Sequence, residues 1–551
     1  MKILNTLTAF LFFLTSASYA QTLVKDIASG AGGSDPEILA VLPDKRAFFF
    51  ANDGINGREP WISDGTSSGT KMLMDIHTGG SSFYDRVAAQ YNGEVYFIAD
   101  DGTNGIELWK TDGSSAGTKM VKNIGANSTS GLGTGQIMFQ IFNGKLYFPA
   151  NDGVVGNELW VTDGSTSGTQ IVKNIASGTI NSNPENLYVS GNRLYFRAND
   201  VTNGTEWWYT DGTLSGTKIL TDFLPGNGSG TVSNQHAMTE YKGWLYFSGI
   251  KSTAEGVELC RTDGTTVEML ANINTTTNVG SYPADFIVAG GYLFFNANDG
   301  INGIELWKTD GTQSGTAIVK NISAGNGNTT MNLLGELKGK LLFAAQVSAS
   351  GYELWASDGS TAGTAMIVDA NGGSGLNVVH TNGEILTESL YRTIRSEYIF
   401  NGYYYYVGTD GTNGVELWRS DGTAGGTTML NQIASGTASS DMNWLFVGGG
   451  KVWMNATNGT SGKELYVYDI PNASTQGILE KYIVQIKPNP VHHFLQFSTP
   501  CLISVLDIHG KKLLEPNIAV ESLDISMLPE GTYLLLLQQN GNLFHQKFIK
   551  N

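Results

Sequence analysis

The sequence predicts an all-β fold: a large β-propeller of about eight or nine four-stranded blades over residues 21–473, closed by its own N-terminal strand, then a small β-sandwich over residues 474–551. Three observations predict it. One phrase, Gly-x-Glu-Leu-Trp-x-Thr-Asp-Gly-Thr-x-x-Gly-Thr, is written nine times, with its Trp position at Trp61, Trp109, Trp160, Trp208, Cys260, Trp307, Trp355, Trp418 and Tyr466. The spacings of 48, 51, 48, 52, 47, 48, 63 and 48 residues fall in the range of a propeller or solenoid repeat. The composition agrees: 70 Gly, 11% aromatic and 15% charged residues describe a turn-rich, aromatic-rich β protein.

Residues 1–20 read as an export signal, with Lys2 as the basic region, an apolar run Leu7–Leu14 and a small-x-small cleavage site at Ser18-Tyr19-Ala20, so that the mature chain begins at Gln21. No later segment is a continuous apolar run of about 18 residues, and no transmembrane segment is expected. Each repeat then carries four strand-like runs, which in the first copy are Ile38–Leu42, Arg46–Ala51, Glu59–Ser63 and Lys71–Ile76. Leu23-Val24-Lys25-Asp26-Ile27 matches the last strand of a repeat, and the ninth copy lacks that strand, so the N-terminus is expected to complete the ninth blade and remove an open edge. Two smaller propellers or an open β-solenoid are the alternatives.

Between Asp369 and Phe400 about 15 extra residues break the period, and Leu386, Leu390 and Ile394 recur at helical spacing, which predicts a short amphipathic helix. Beyond Ala473 strands are expected at Tyr482–Lys487, Phe494–Ser498, Ile503–Ile508, Ser522–Ile525, Thr532–Leu537 and Phe544–Ile549.

The Asp three residues after each Trp position, Asp64, Asp112, Asp163, Asp211, Asp263, Asp310, Asp358, Asp421 and Asp469, suits a tight Asp-Gly turn, and a catalytic acid is not needed nine times. These units resemble the Asp-box hairpins of sialidase-type propellers, which are structural turns. The Glu two residues before each Trp position shares its strand face and needs buried donors, either amides of the preceding Gly-rich loop or a neighbouring Lys such as Lys122, Lys173 or Lys320. That loop carries Asp53, Asp101, Asp152, Asp200, Asp299 and Asp410, mostly as Asn-Asp-Gly. By up-and-down topology these loops share a rim with the blade-to-blade linkers, opposite the Asp-Gly-Thr turns, and this rim is the candidate binding surface. Its oxygens suit Ca²⁺, but the spacing departs from the usual calcium loop, so no cofactor is expected and calcium stands as an alternative. Trp207-Trp208 and Tyr403–Tyr406 are assigned to blade packing ahead of sugar stacking.

The C-terminal segment resembles the type A sorting domain of Bacteroidota type IX secretion. The resemblance rests on Lys487-Pro488-Asn489-Pro490, Val505-Leu506-Asp507-Ile508-His509-Gly510-Lys511, Leu528-Pro529-Glu530-Gly531-Thr532-Tyr533 and the closing Lys547-Phe548-Ile549-Lys550, with Lys487 where an aromatic is usual. It implies the type IX machinery as a partner and delivery to the outer-membrane surface or the medium. The repeats resemble the family named for its E-L-W-x-x-D-G-T phrase, which implies no particular activity.

The net charge of −17 argues against nucleic acid as a partner. No zinc spacing involves His77, His236 or His380, and there is no nucleophile elbow or phosphate loop. Cys260 and Cys501 suggest neither a disulfide framework nor a metal site. The expectation is an exported, non-catalytic scaffold that recognises an extracellular glycan or protein. A polysaccharide hydrolase or lyase and a structural adhesion or surface-layer protein are the rivals.

Overall fold

The computed structural model describes residues 20–30, 32–125, 129–133, 138–232, 238–250, 252–347, 351–369, 398–471, 494–506, 512–514, 520–539 and 542–550. Among them the strands form nine four-stranded antiparallel sheets arranged as a β-propeller, together with the strands of the C-terminal domain. In blade 1 the order is Glu37–Val41, Ala47–Asn52, Arg58–Ser63 and Lys71–Met72. Seven further blades repeat that meander. Blade 9 takes Trp444–Gly448, Lys451–Ala456 and Glu464–Asp469, and its fourth strand is Thr22–Lys25, antiparallel to Glu464–Asp469. The chain closes its own ring, in a single nine-bladed propeller.

The second and third strands are buried on both faces, because blades stack face to face around the ring. Phe48 of blade 1 meets Phe97 of blade 2 with ring centroids 4.9 Å apart. Cys260 fills the Trp position of blade 5 as a buried side chain whose thiol faces the Gly249 carbonyl. Trp207, Trp208, Tyr404, Tyr405 and Tyr406 are all buried in this packing. The fourth strand is shorter than its sequence suggests. The chain leaves it after Met72, with the Leu73 amide still bonded to the Pro60 carbonyl at 2.8 Å, and Ile76 turns inward towards Glu59.

Neighbouring blades are tied at the Trp positions. Lys25 extends its ammonium group across Trp61, 5.8 Å from the ring centroid, and donates to the Thr70 carbonyl at 2.8 Å. Lys122 does the same over Trp160 and to Thr169, Lys173 over Trp208 and to Thr217, and Lys320 over Trp355 and to Thr364. Each Lys stands on the fourth strand of one blade and serves the next. At the inner strands the closing seam is held by Arg86, which pairs with Glu37 at 2.7 Å and lies over Trp444, whose indole donates to the Ile38 carbonyl at 2.7 Å.

In the C-terminal domain the two expected strands at Phe494–Ser498 and Ile503–Ile508 are one strand, Phe494–Leu506. Its first half pairs with Val520–Asp524 and its second with Gly531–Gln539, with an irregularity between Gln496 and Cys501. One strand therefore turns a corner and serves two sheets, as bulged strands do in sandwiches. Gly531–Gln539 pairs in turn with Asn542–Lys550. The expected strand Tyr482–Lys487, the boundary near residue 473, the helix at Leu386–Ile394 and residues 1–19 lie outside the described residues.

Candidate binding face

The Asp-Gly-Thr turns and the Asn-Asp-Gly loops fall on opposite faces, as strand alternation requires. In each Asp-Gly-Thr turn the Asp oxygen accepts twice from the residue two positions on, as where Asp64 Oδ1 takes the Thr66 amide at 2.8 Å and its hydroxyl at 2.7 Å. That hydroxyl then accepts from the Gly69 amide at 3.0 Å. A Cβ on Gly69 would stand 2.1 Å from Asp64 Oδ1, so the second Gly of the phrase is required by space. Asp112, Asp163, Asp211, Asp263, Asp310, Asp358 and Asp421 repeat this carboxylate geometry. Asp469 does not. It pairs with Lys451 on the neighbouring strand, because in blade 9 no hairpin follows and the next strand arrives from the N-terminus.

On the other face the loops and linkers are stitched together. Asn52 donates from its amide to the Ser34 carbonyl at 2.9 Å, Asn199 to Ser182 and Asn298 to Ser281 in the same way. Gly57 passes so close to the linker that a Cβ there would lie 1.8 Å from the Gly80 carbonyl oxygen. Asp53 Oδ1 accepts from the amides of Ile55 (2.9 Å) and Asn56 (2.8 Å), and Oδ2 accepts from the Asn56 side chain at 2.7 Å. Asp101, Asp200, Asp299 and Asp410 make the same three bonds, and Asp152 makes the two to amides because Val155 replaces the Asn. These hydrogen bonds hold Asp53, Asp101, Asp299 and Asp410 below the usual carboxylate range against the opposing effect of desolvation. The six carboxylates are thus directed into their own loops. Among the described residues no group of three or more His, Cys, Asp or Glu is placed to hold a metal.

The repeated Glu is fully buried in all nine blades. Among the described residues the donors that reach it come from the linker that follows the blade, neither from the preceding loop nor from Lys. Glu59 accepts from the Ile76 amide (2.9 Å), the His77 amide (3.4 Å) and the Ser82 amide (3.1 Å) and hydroxyl (2.6 Å). Glu158, Glu258, Glu305 and Glu464 are held in the same manner. Lys122, Lys173 and Lys320 are engaged in the ties between blades instead. Burial pushes Glu107 and Glu158 up to about 7 and Glu206 to about 8, with the amide donors opposing the shift.

Sequence reasoning missed what the loops present to solvent. Ile55, Val154, Val201 and Ile301 stand at the loop tips, and Ile180, Val279 and Tyr282 on the linkers, all exposed. The signal was an apolar residue inside an otherwise polar turn. Tyr282 has φ +49 at the position before Pro283, where Asp35 and Asn183 occupy the equivalent places before Pro36 and Pro184. A bulky side chain in the left-handed region is an outlier there, whereas Asp and Asn tolerate it.

Of the sorting residues, Tyr533 is buried and donates its hydroxyl to the Pro529 carbonyl at 2.7 Å, Gly531 opens the strand that pairs with Lys550, and Lys550 is itself buried. Pro488, Asn489, Pro490, Gly510 and Lys511 lie outside the described residues. Ala20 and Gln21 are the first described residues.

Residues 485–551 match the family described as a secretion system C-terminal sorting domain. The chain is therefore a nine-bladed β-propeller protein that carries a type IX sorting domain, an export signal for the cell surface or the medium. No curated protein matches it. Solved structures similar to it include the computationally designed Ika8 protein, at 15% identity over 70% of this chain and 95% of that one, with a TM-score of 0.37. A puromycin hydrolase matches at 12% identity over 63% of this chain, which spans 56% of that enzyme's length, with a TM-score of 0.32. PorZ of Porphyromonas gingivalis, a surface component of the type IX secretion system, matches at 12% identity over 94% and 86% of the two chains, with a TM-score of 0.19. At these TM-scores none of the three fixes the architecture or the activity of this chain.

Proposed function

We propose that the propeller is a non-catalytic binding scaffold at the cell surface, which recognises an extracellular glycan or protein through its linker face. The observation that carries this reading is the uneven distribution of exposed apolar side chains. Ile55 (85% exposed), Ile301 (74%) and Val154 (64%) top the Asn-Asp-Gly loops, and Tyr282 (58%) stands beside them on a linker. Isolated exposed apolar residues need no explanation, but a set repeated on one rim marks an interaction surface. Holding Tyr282 in the left-handed region costs about 1–2 kcal/mol, which an aromatic contact surface for a sugar ring or a protein side chain would justify. The repeated carboxylates support the non-catalytic half of the reading, since those of the turns and loops accept hydrogen bonds from their own residues and those of the Glu series are sealed inside the blades.

The test is to incubate the mature chain with a panel of host, algal and plant polysaccharides and record both retention and chain length. Retention of intact glycan, reduced by Tyr282→Ala and Ile301→Asp, is the expected result. Shortened glycan would replace the reading with an enzymatic one, and no retention of any glycan would leave a protein partner or a structural role.

A further inference from the structure

Fourteen residues after the Trp position, blades 6 and 8 carry a side-chain amide, Asn321 and Gln432, and blade 4 carries Asp222. The amide has a defined task. Asn321 Nδ2 donates to Asn302 Oδ1 at 2.8 Å and to the Gly325 carbonyl at 3.0 Å. Gln432 Nε2 donates to Asn413 Oδ1 at 3.1 Å and to the Gly436 carbonyl at 2.9 Å. An NH₂ group therefore fills the space between two oxygens. Blade 4 keeps the oxygens, since Asn203 and Gly226 occupy the matching positions, and Asn203 Nδ2 is engaged by Asp200 Oδ2 at 2.6 Å just as Asn302 is by Asp299 at 2.7 Å. It removes the donor. Asp222 Oδ1 is buried and has no hydrogen-bond partner.

A second donor is missing from the same blade. In blades 1, 3, 5, 6 and 9 a hydroxyl closes the buried Glu: Ser82 on Glu59, Ser182 on Glu158, Ser281 on Glu258, Thr329 on Glu305 and Ser34 on Glu464, at 2.5 to 2.7 Å. Blade 4 has Gly230 there. Its amide reaches Glu206 Oε1 at 2.8 Å and the Phe223 amide also bears on this carboxylate, but no hydroxyl closes it and Glu206 Oε2 lacks a well-formed hydrogen bond. Blade 1 provides the contrast. Its Asp75 also has a buried unpartnered oxygen, but Glu59 beside it is fully satisfied.

We propose that blade 4 holds a hard divalent cation, Ca²⁺ in the first instance, between Glu206, Asp222 and Asn203. Two carboxylates and an amide oxygen form the donor set that Ca²⁺ takes, with main-chain carbonyls and water completing its six to eight oxygen ligands. The absence of nitrogen and sulfur donors disfavours zinc and copper. Buried carboxylate oxygens without donors are otherwise unfavourable, and a cation supplies the positive charge that the Asn321 amide and the Thr329 hydroxyl supply in blade 6. This site is distinct from the Asn-Asp-Gly carboxylates, because Asp200 is already saturated by its own loop.

Asp222→Asn is the decisive variant, because it restores the amide that blades 6 and 8 already carry and so should fold. The mature chain is melted in CaCl₂ and in EDTA, alongside Asp222→Asn and Glu206→Gln, and calcium binding is measured by titration calorimetry. Calcium at about 100-fold over its Kd should raise the wild-type Tm by roughly 3 °C. Asp222→Asn should lose that response, bind one calcium fewer and melt above the wild type in EDTA, and Glu206→Gln should lose the response too. Absence of any calcium response in the wild type overturns the proposal, and so does a response retained in both variants. Stabilisation by Glu206→Gln without calcium binding by the wild type would mean that the two carboxyls share a proton, and would also overturn it.

Discussion

The amide of Ile27 donates to the buried carboxylate of Glu464, 437 residues further along the chain, at 3.0 Å. Ala28 and Ser34 add to the same carboxylate, so the N-terminal strand and the linker behind it are clamped to the last blade just as each linker is clamped to the blade before it. Deleting Gln21–Asp26 removes that strand, the Lys25 tie across Trp61 and the cover of the Glu464–Asp469 edge. The Tm should fall by at least about 5 °C, with concentration-dependent aggregation. An unchanged melting curve would refute the role given to the seam.

The Glu series should outweigh the loop Asp series. Glu59→Ala strands the buried donors of Ile76, His77 and Ser82 and should cost about 3 kcal/mol in urea titration. Asp53→Ala frees donors that water can reach and should cost about 1 kcal/mol. Equal costs would show that burial does not set the ranking.

Stability should be greatest in mild acid. Glu107 and Glu158 hold their protons more tightly in the folded chain, with folded values of about 7 against an ordinary 4.5. Their contribution is full below about pH 4.5 and is lost as the pH rises through about 7. The turn residues Asp64, Asp163 and Asp310 are shifted the other way, chiefly by the hydroxyl two residues on, so their contribution is present above about 3.8 and is lost in acid. Tm measured from pH 3 to 9 at fixed ionic strength should peak between these limits, and Glu107→Gln should flatten the alkaline decline. A Tm that rises from pH 5 to 8 would contradict the assignment.

Removing residues 474–551 should leave the melting of the propeller unchanged and stop delivery to the cell surface or medium, read by fractionation. Normal delivery of the truncated chain would sink the sorting role.

The repeat made most of the architecture legible. Nine copies of one phrase fix nine third strands, and Asp-Gly chemistry is local enough to place both turn families on their faces. Contacts between segments distant in sequence were not legible. The donors of Glu59 lie 17 to 23 residues downstream, on a linker whose path a strand pattern does not reveal. Lys122 looked like a partner for a Glu because its reach to Thr169 crosses to another blade. Asp469 kept the spacing of the series after losing its turn. Of the candidate binding face, the loops were visible but their apolar tips were not, because Ile55 and Val154 lie among residues that spell an ordinary polar turn.

The symmetry of the ring hides an order in time. Its outermost closing strand, Thr22–Lys25, is synthesised before every other strand of the ring, and its partner Glu464–Asp469 after them. Eight blades can therefore assemble while the ninth waits, with one sheet edge uncovered, until both ends have arrived on the same side of a membrane. Long-range closure of this kind is slow compared with hairpin formation. Latching of the ring thus certifies that a chain is whole, and a product clipped near residue 22 or residue 464 is marked by an open edge that aggregation or proteolysis can recognise.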